Sequence, residues 1–111
     1  VQKLFSIPPK GPLNGYLVLE LGNLISGPMA SEELARKGAL VIKLETQKGD
    51  SARGILSKAV FASCNAAKAS IALDKTDIED QQLYKELLEL ADVVIDNRSA
   101  DAKMRDETLQ A

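Results

Sequence analysis

Histidine is absent from this chain of 111 residues, and cysteine occurs only once, as Cys64. Both residue types are common zinc ligands and common bases or nucleophiles of acyl transfer. Their scarcity excludes a metal site and catalysis by a Ser-His or Cys-His pair, so any chemistry must use carboxylates, lysine, arginine or backbone groups. Cys64 is predicted to be a buried or half-buried small residue, and a lone cysteine makes a reducing cytoplasm the expected location.

Three further features are missing: a surplus of basic residues, a long apolar run and a visible signal peptide. The net charge of -2 argues against a nucleic-acid partner. No apolar run approaches the roughly 20 residues that cross a membrane, so no membrane partner is expected. The composition that remains, 45% hydrophobic and 4% aromatic, is typical of a soluble α/β domain.

The two ends of the chain predict a piece of a longer protein. The sequence starts without a methionine, and residues 101–111 have no obvious partner to pack against. Residues 1–15 are expected to form an irregular lead-in, because Pro8-Pro9 and Gly11-Pro12 oppose regular structure. The predicted domain therefore covers residues 16–111.

Apolar runs alternate with segments of helical spacing along the rest of the chain. The runs predict strands over residues 16–21, 40–45, 70–74 and 93–96. The spacing predicts helices over residues 29–37, 58–66 and from 76 onward. This alternation indicates an α/β fold, in which a Rossmann-like open parallel sheet carries helices on both faces. The expected strand order is 3-2-1-4.

Helix boundaries and faces are predicted from single residues. Pro28 suits a first helical turn, Gly38 suits the left-handed residue past a helix end, and residues 76–79 form a capping-box pattern. The apolar faces are predicted to consist of Met29, Ala30, Leu34 and Ala35 in the first helix and of Ile78, Leu83, Leu87, Leu88 and Leu90 in the last. Six acidic residues are predicted to be solvated: Glu32, Glu33, Glu79, Asp80, Glu86 and Glu89.

The turn at residues 22–28 joins the first strand to the first helix and contains Gly, Asn, Ser and Pro. Parallel sheets hold ligands beyond the carboxyl ends of their strands, and free N–H groups at a helix start favour an anion. The turn has neither the Gly-x-Gly-x-x-Gly fingerprint nor a P-loop, which disfavours a generic NAD- or nucleotide-binding domain. An anion site and a plain connection remain equally open.

Five segments, in order and spacing, resemble the amino-terminal portion of family III CoA-transferases, the CaiB/BaiF family. The family patterns are V-L-D-L-T-x-x-x-A-G-P, L-G-A-x-V-I-K-V-E, G-D-x-x-R-G, N-K-R-S-I-A-L-D and A-D-V-V-x-E-N-F. They are matched in that order by residues 18–28, 37–45, 49–54, 67–74 and 91–98. The family includes formyl-CoA transferases, carnitine-type CoA transferases and α-methylacyl-CoA racemases.

The resemblance implies a CoA-binding domain of an enzyme that moves CoA between carboxylic acids through an aspartyl intermediate. CoA or an acyl-CoA is the implied substrate, and an interlocked homodimer is the implied assembly. The family's catalytic aspartate follows the last matched segment, so this chain alone is expected to be inactive. Two alternatives stay open: a member similar to α-methylacyl-CoA racemase, and a non-catalytic scaffold domain of the same fold.

The resemblance also implies which residues contact CoA: Leu24, Ile25, Asn65, Lys68, Asn97, Arg98 and Arg105. The first two lie in the turn whose backbone faces CoA in the family. Lys68 and Arg105 correspond to positions near the phosphates, and Asn97 to a position near the pantetheine or adenine. Asp50 and Arg53 are expected to pair with each other. A purely structural role remains the alternative for each of these residues.

Overall fold

The computed structural model describes residues 10–22, 25–47, 58–104 and 106. Within these ranges the strands are β1 (Leu17–Glu20), β2 (Leu40–Thr46), β3 (Ala69–Leu73) and β4 (Val93–Ile95). The helices there are α1 (Ser26–Arg36), α2 (Lys58–Asn65), α3 (Ile78–Leu90) and α4 (Ala100–Met104). The predictions for Leu24, Asp50, Arg53 and Arg105 lie outside the described residues, and the division into a lead-in and a domain stays a prediction.

The four strands found in the described part of the chain form one parallel sheet in the order β3-β2-β1-β4. This confirms the predicted order, and every predicted strand boundary agrees to within one residue. Strands β1 and β2 are the most deeply buried because they lie in the middle of the sheet. Their carboxyl ends therefore meet at one edge, where the turn to α1 begins.

Alternate residues of the central strands face two separate cores. Val18 and Val41 pack with Ala35 of α1 on one face. Leu19 and Ile42 belong to the second core, against which Tyr84, Leu87 and Leu88 of α3 pack. Helices cover both faces, as the sequence predicts. Across the described ranges, no helix combines the length and apolar character that crossing a membrane requires.

Helix α1 begins at Ser26, three residues before its predicted start, and Leu34 and Ala35 of its predicted apolar face do pack in the core. Met29 and Ala30 were predicted to be in the core but are exposed. The residues that are buried are Gly27, Pro28, Ser31, Glu32 and Ala35. Small residues let the helix lie close to the sheet, so its buried face cannot be recognised by hydrophobicity. Gly38 has the expected positive φ of 103°.

Glu32 corrects the prediction of a solvated acidic residue, since it is only 6% exposed. Its Oε1 accepts a hydrogen bond from Nη2 of Arg36 at 2.9 Å. The arginine lies one turn further along α1 and remains largely exposed. The pair therefore spans the boundary of the core, with the carboxylate inside and the cation outside.

Helix α3 differs from its prediction at the cap and along the apolar stripe. Asp77 caps the helix by accepting the N–H of Glu79, whereas Thr76 donates its hydroxyl to Asp74 at 2.7 Å. Of the predicted stripe, Leu87 and Leu88 pack against the core, while Ile78, Leu83 and Leu90 are exposed. The part of α3 that covers the sheet is therefore smaller than the predicted apolar stripe.

Ala67 has a φ of 62°, a left-handed conformation unusual for alanine. It lies two residues past the end of α2, where glycine commonly terminates a helix. We expect Ala67→Gly to raise the free energy of unfolding by about 1 kcal/mol, because glycine has no Cβ to strain this conformation. Urea unfolding followed by circular dichroism measures the change.

Ala62→Gly is the matched control, since Ala62 is an exposed residue inside α2. There the same substitution should lower the free energy of unfolding by about 1 kcal/mol, because glycine is a poor helix former. A destabilising effect at both positions would contradict the left-handed assignment.

Candidate functional site

The first turn of α1 lies at the carboxyl end of β1, where the central strands end together. Ile25 is the N-cap residue, and its side chain makes no capping hydrogen bond. The first N–H groups of a helix have no partner within the helix, and Pro28 has no N–H at all. The N–H groups of Ser26 and Gly27 therefore lie at the positive end of an 11-residue helix, where Ser26 is exposed and Gly27 is buried.

Asn97 follows β4 and reaches across to this turn. Its Nδ2 donates a hydrogen bond to Oγ of Ser26 at 2.9 Å. Its Oδ1 lies so close to two glycines that a Cβ built on Gly22 would collide with it, and one on Gly27 would be 2.9 Å away. These glycines therefore leave room for the Asn97 amide, which explains why they stand at this junction.

A buried carboxylate lies beneath the turn. Oε1 of Glu20, the last residue of β1, accepts a hydrogen bond from Nζ of Lys43 at 2.7 Å. Its Oε2 accepts from Oγ of Ser31 at 2.7 Å and from Nζ of Lys68 at 2.6 Å. All four side chains are almost fully buried. Glu20 thus joins β1, β2, α1 and the residue before β3.

Lys68 is hydrogen-bonded within the protein, and its side chain is 2% exposed. Besides Glu20, its ammonium donates to the backbone oxygen of Pro28 at 2.8 Å and to Oδ1 of Asn65 at 2.9 Å. An ammonium has three N–H donors, so these three bonds use all of them. Burial lowers the pKa of Lys68 from its ordinary value of 10.5, although Glu20 opposes the shift.

Arg98 belongs to a second group of side chains, with Asp96, Asp106 and Tyr84. Its guanidinium binds Asp96 through two hydrogen bonds of 3.0 and 2.9 Å and donates to Asp106 at 2.9 Å. Oη of Tyr84 also donates to Asp106, at 2.6 Å. Burial and the Asp106 hydrogen bond raise the pKa of Tyr84. The group fastens the segment after β4 to helix α3.

Asp96 makes the stability of the fold sensitive to acid. Burial alone would raise the pKa of Asp96, but the hydrogen bonds and charge of Arg98 lower it below its ordinary value of 3.8. Because the unfolded chain binds the proton more readily, the stabilisation by Asp96 is complete above pH 3.8 and is lost as pH falls through the folded pKa. We expect the difference in unfolding free energy between wild type and Asp96→Asn to shrink below pH 3.8.

Urea unfolding at intervals from pH 6 to 2.5 measures that difference, and carboxyls common to both chains cancel. Asp101→Asn is the control, because Asp101 is exposed on α4. A wild-type advantage that stays constant across this range would contradict the assignment.

The sequence-predicted contacts therefore divide into groups. Asn65 and Lys68 adjoin the first turn of α1 from the α2 side, Asn97 adjoins it from β4, and Ile25 begins it, 45% exposed. Arg98 faces Asp96 and Asp106 instead.

Sequence reasoning missed the group formed by Glu20, Lys43 and Ser31. The available signal was a charged residue inside each of two apolar runs, Glu20 in the first strand and Lys43 in the second, where Glu45 follows near the strand end. Parallel pairing places these two residues opposite each other. Charged residues at matching positions of central strands favour a buried ion pair, because both faces of such strands are covered.

Together, the sheet order and the polar turn at the strand ends define a Rossmann-like α/β domain. Comparison with known proteins then gives its family: a sequence model described as CoA-transferase family III matches residues 13–109. The chain belongs to CoA-transferase family III.

Two curated relatives are themselves CoA-transferases. The chain is 38% identical over 105 residues to succinate–glutarate CoA-transferase of Agrobacterium fabrum, covering 83% of this chain and 26% of that protein. It is 35% identical over 91 residues to formyl-CoA:oxalate CoA-transferase of Streptomyces coelicolor, covering 77% and 22%. The chain thus spans about a quarter of the length of these relatives.

Solved structures of similar proteins have the same fold as this chain. A CaiB/BaiF family protein from Brucella suis superposes with a TM-score of 0.80 at 32% identity, covering 92% of this chain and 31% of that one. Rv3272 from Mycobacterium tuberculosis, in its orthorhombic form, superposes with a TM-score of 0.77 at 31% identity, covering 92% and 29%.

Proposed function

We propose that this chain is the CoA-binding domain of a family III CoA-transferase, which moves CoA between carboxylic acids. The observation that carries the proposal is the first turn of α1, which opens at the carboxyl ends of the central strands. Ligands of open parallel sheets collect at this edge. Membership of the family makes CoA or an acyl-CoA the ligand to expect.

Backbone groups supply the main attraction for the CoA diphosphate in this proposal. The N–H groups of Ser26 and Gly27 lie at the positive end of α1, and such a position favours an anion by about 0.3–1 kcal/mol. The exposed side chains of Ile25 and Met29 offer apolar surface to the pantetheine. Asn65 and Asn97 are the proposed polar contacts on the two sides of the turn. Leu24 and Arg105 remain predicted contacts outside the described residues.

The chemical step is proposed to use an aspartate outside this chain, as the aspartyl intermediate of the family requires. We expect the purified chain to exchange no CoA between carboxylic acids, because its own residues bind and orient CoA without supplying the nucleophile. The interlocked homodimer also stays a prediction for the longer protein. A racemase-like member would use the same binding domain, so that alternative concerns the reaction alone.

A non-catalytic scaffold is the second candidate, and the two internal cations favour it. Lys68 is 2% exposed and Arg98 17% exposed, and both are hydrogen-bonded within the protein. Contact between either cation and a phosphate would cost existing bonds. Affinity for CoA should consequently be low, with a dissociation constant from high micromolar to millimolar, or roughly 4–6 kcal/mol.

Calorimetric titration of the 111-residue chain with CoA, NAD and ATP tests the proposal. We expect heat from CoA at millimolar concentration, weaker binding of NAD and ATP, and a loss of CoA affinity with added salt, since the diphosphate contacts are partly exposed. No heat from millimolar CoA would favour the scaffold. Equal affinity for all three ligands would favour a general nucleotide site.

A further inference from the structure

We infer that Glu20, acting through Lys43 and Lys68, is a positioning residue that fixes both ends of the turn between β1 and α1. Lys43 donates to the backbone oxygen of Gly22 at 3.3 Å, where the turn begins. Lys68 donates to the backbone oxygen of Pro28 at 2.8 Å, in the first turn of α1 just beyond the connecting turn. One carboxylate binds both ammonium groups.

The two lysines have little freedom to move because their side chains are each only 2% exposed. Neither ammonium group can exchange Glu20 for water unless the surrounding chain moves. Ser31 gives the carboxylate a third donor at 2.7 Å, from the second turn of α1. Glu20 therefore fixes the start of α1 relative to the sheet, as well as placing a negative charge between two buried ammonium groups.

Lys68 also connects the start of α1 to the segment that follows α2. Its bond to Asn65 joins the end of α2 to the first turn of α1, and Ala67 adopts a left-handed conformation between these two residues. Backbone in sparsely populated conformations persists where surrounding contacts over-determine it. The effect on CoA rests on the proposed function: the N–H groups of Ser26 and Gly27 keep their direction only while Pro28 is fixed.

The experiment is amide hydrogen exchange by NMR on the 111-residue chain and its Lys68→Met variant. Methionine fills similar space, and Glu20 keeps Lys43 and Ser31 as partners. The reporter is the N–H of Met29, which donates to the backbone oxygen of Ile25 at 2.8 Å. We expect Met29 to exchange at least tenfold faster in the variant, while Leu87 in the interior of α3 changes less than twofold.

Lys37→Met is the control, because Lys37 is an exposed lysine at the opposite end of α1, 3.3 Å from Glu33. It should change exchange at Met29 less than twofold. Lys43→Met, which releases Gly22 instead of Pro28, is a second test variant with the same expectation as Lys68→Met. Equal acceleration at Met29 and Leu87 in the test variants, or none at either, would overturn the positioning role.

A CoA titration of the same variants separates positioning from direct contact. We expect at least a threefold loss of affinity in Lys68→Met relative to Lys37→Met, together with the faster exchange at Met29. A loss of affinity with unchanged Met29 exchange would mean that Lys68 contacts the ligand itself, and would overturn the inference. If the unsubstituted chain binds no CoA, the proposed function fails, while the exchange result still decides the positioning role.

Discussion

Glu20→Gln is expected to lower the free energy of unfolding by about 3–5 kcal/mol. Glutamine retains the shape of the side chain but removes the negative charge that the buried ammonium groups of Lys43 and Lys68 share. Uncompensated charge in the interior is among the costliest defects in a small fold. Urea unfolding followed by circular dichroism at pH 7 measures the change.

Two further variants test whether buried charge causes the loss of stability in Glu20→Gln. Glu33→Gln removes an exposed carboxylate that is paired with Lys37, and such a pair contributes about 0.2–1 kcal/mol. Combining Glu20→Leu, Lys43→Leu and Lys68→Met removes all three charges from the interior, which should recover most of the lost stability because apolar side chains of similar volume replace the buried ions. A Glu20→Gln effect no larger than that of Glu33→Gln would contradict the buried network.

Arg98→Met is expected to lower the free energy of unfolding by about 3 kcal/mol at pH 7. The substitution leaves Asp96 and Asp106, 10% and 9% exposed, without the guanidinium that lies between them. The expected cost is at the lower end for a buried pair, because Arg98 remains 17% exposed. Thermal and urea unfolding of wild type and variant measure it.

The effect of Arg98→Met should also depend on pH in a defined direction. Arg98 lowers the pKa of Asp96, so its contribution is complete above pH 3.8 and declines as Asp96 is protonated. The difference between wild type and variant should therefore be smaller at pH 3 than at pH 7. Lys85→Met, at an exposed position of α3, is the control and should be nearly neutral at both pH values. A difference that grows in acid would contradict this role of Arg98.

The sheet could be predicted from the sequence because its strands are short apolar runs separated by clear breaks. Strand order followed from the α/β alternation and was confirmed. The start and buried face of α1 could not be predicted in the same way, since Gly27, Ser31 and Glu32 face the sheet. Hydrophobic spacing identifies a helix face only where apolar side chains form it.

The candidate site was predictable in place but not in its internal contacts. The turn before α1, Asn65, Lys68 and Asn97 do lie around one helix start. Lys68 binds a carboxylate 48 residues earlier, and the residue before it, Ala67, is left-handed; a local pattern reveals neither feature. Long-range pairing of buried charges thus sets the limit of sequence reasoning here.

Chemical-shift mapping by NMR of the ¹⁵N-labelled chain with CoA tests the central proposal most directly, because it reports where CoA binds as well as whether it binds. We expect saturable shifts that are largest at the amides of Ser26 and Gly27, with further shifts at Asn65 and Asn97, and little change along α3. Shifts that are absent at millimolar CoA, or largest on α3, would contradict a CoA site at the start of α1.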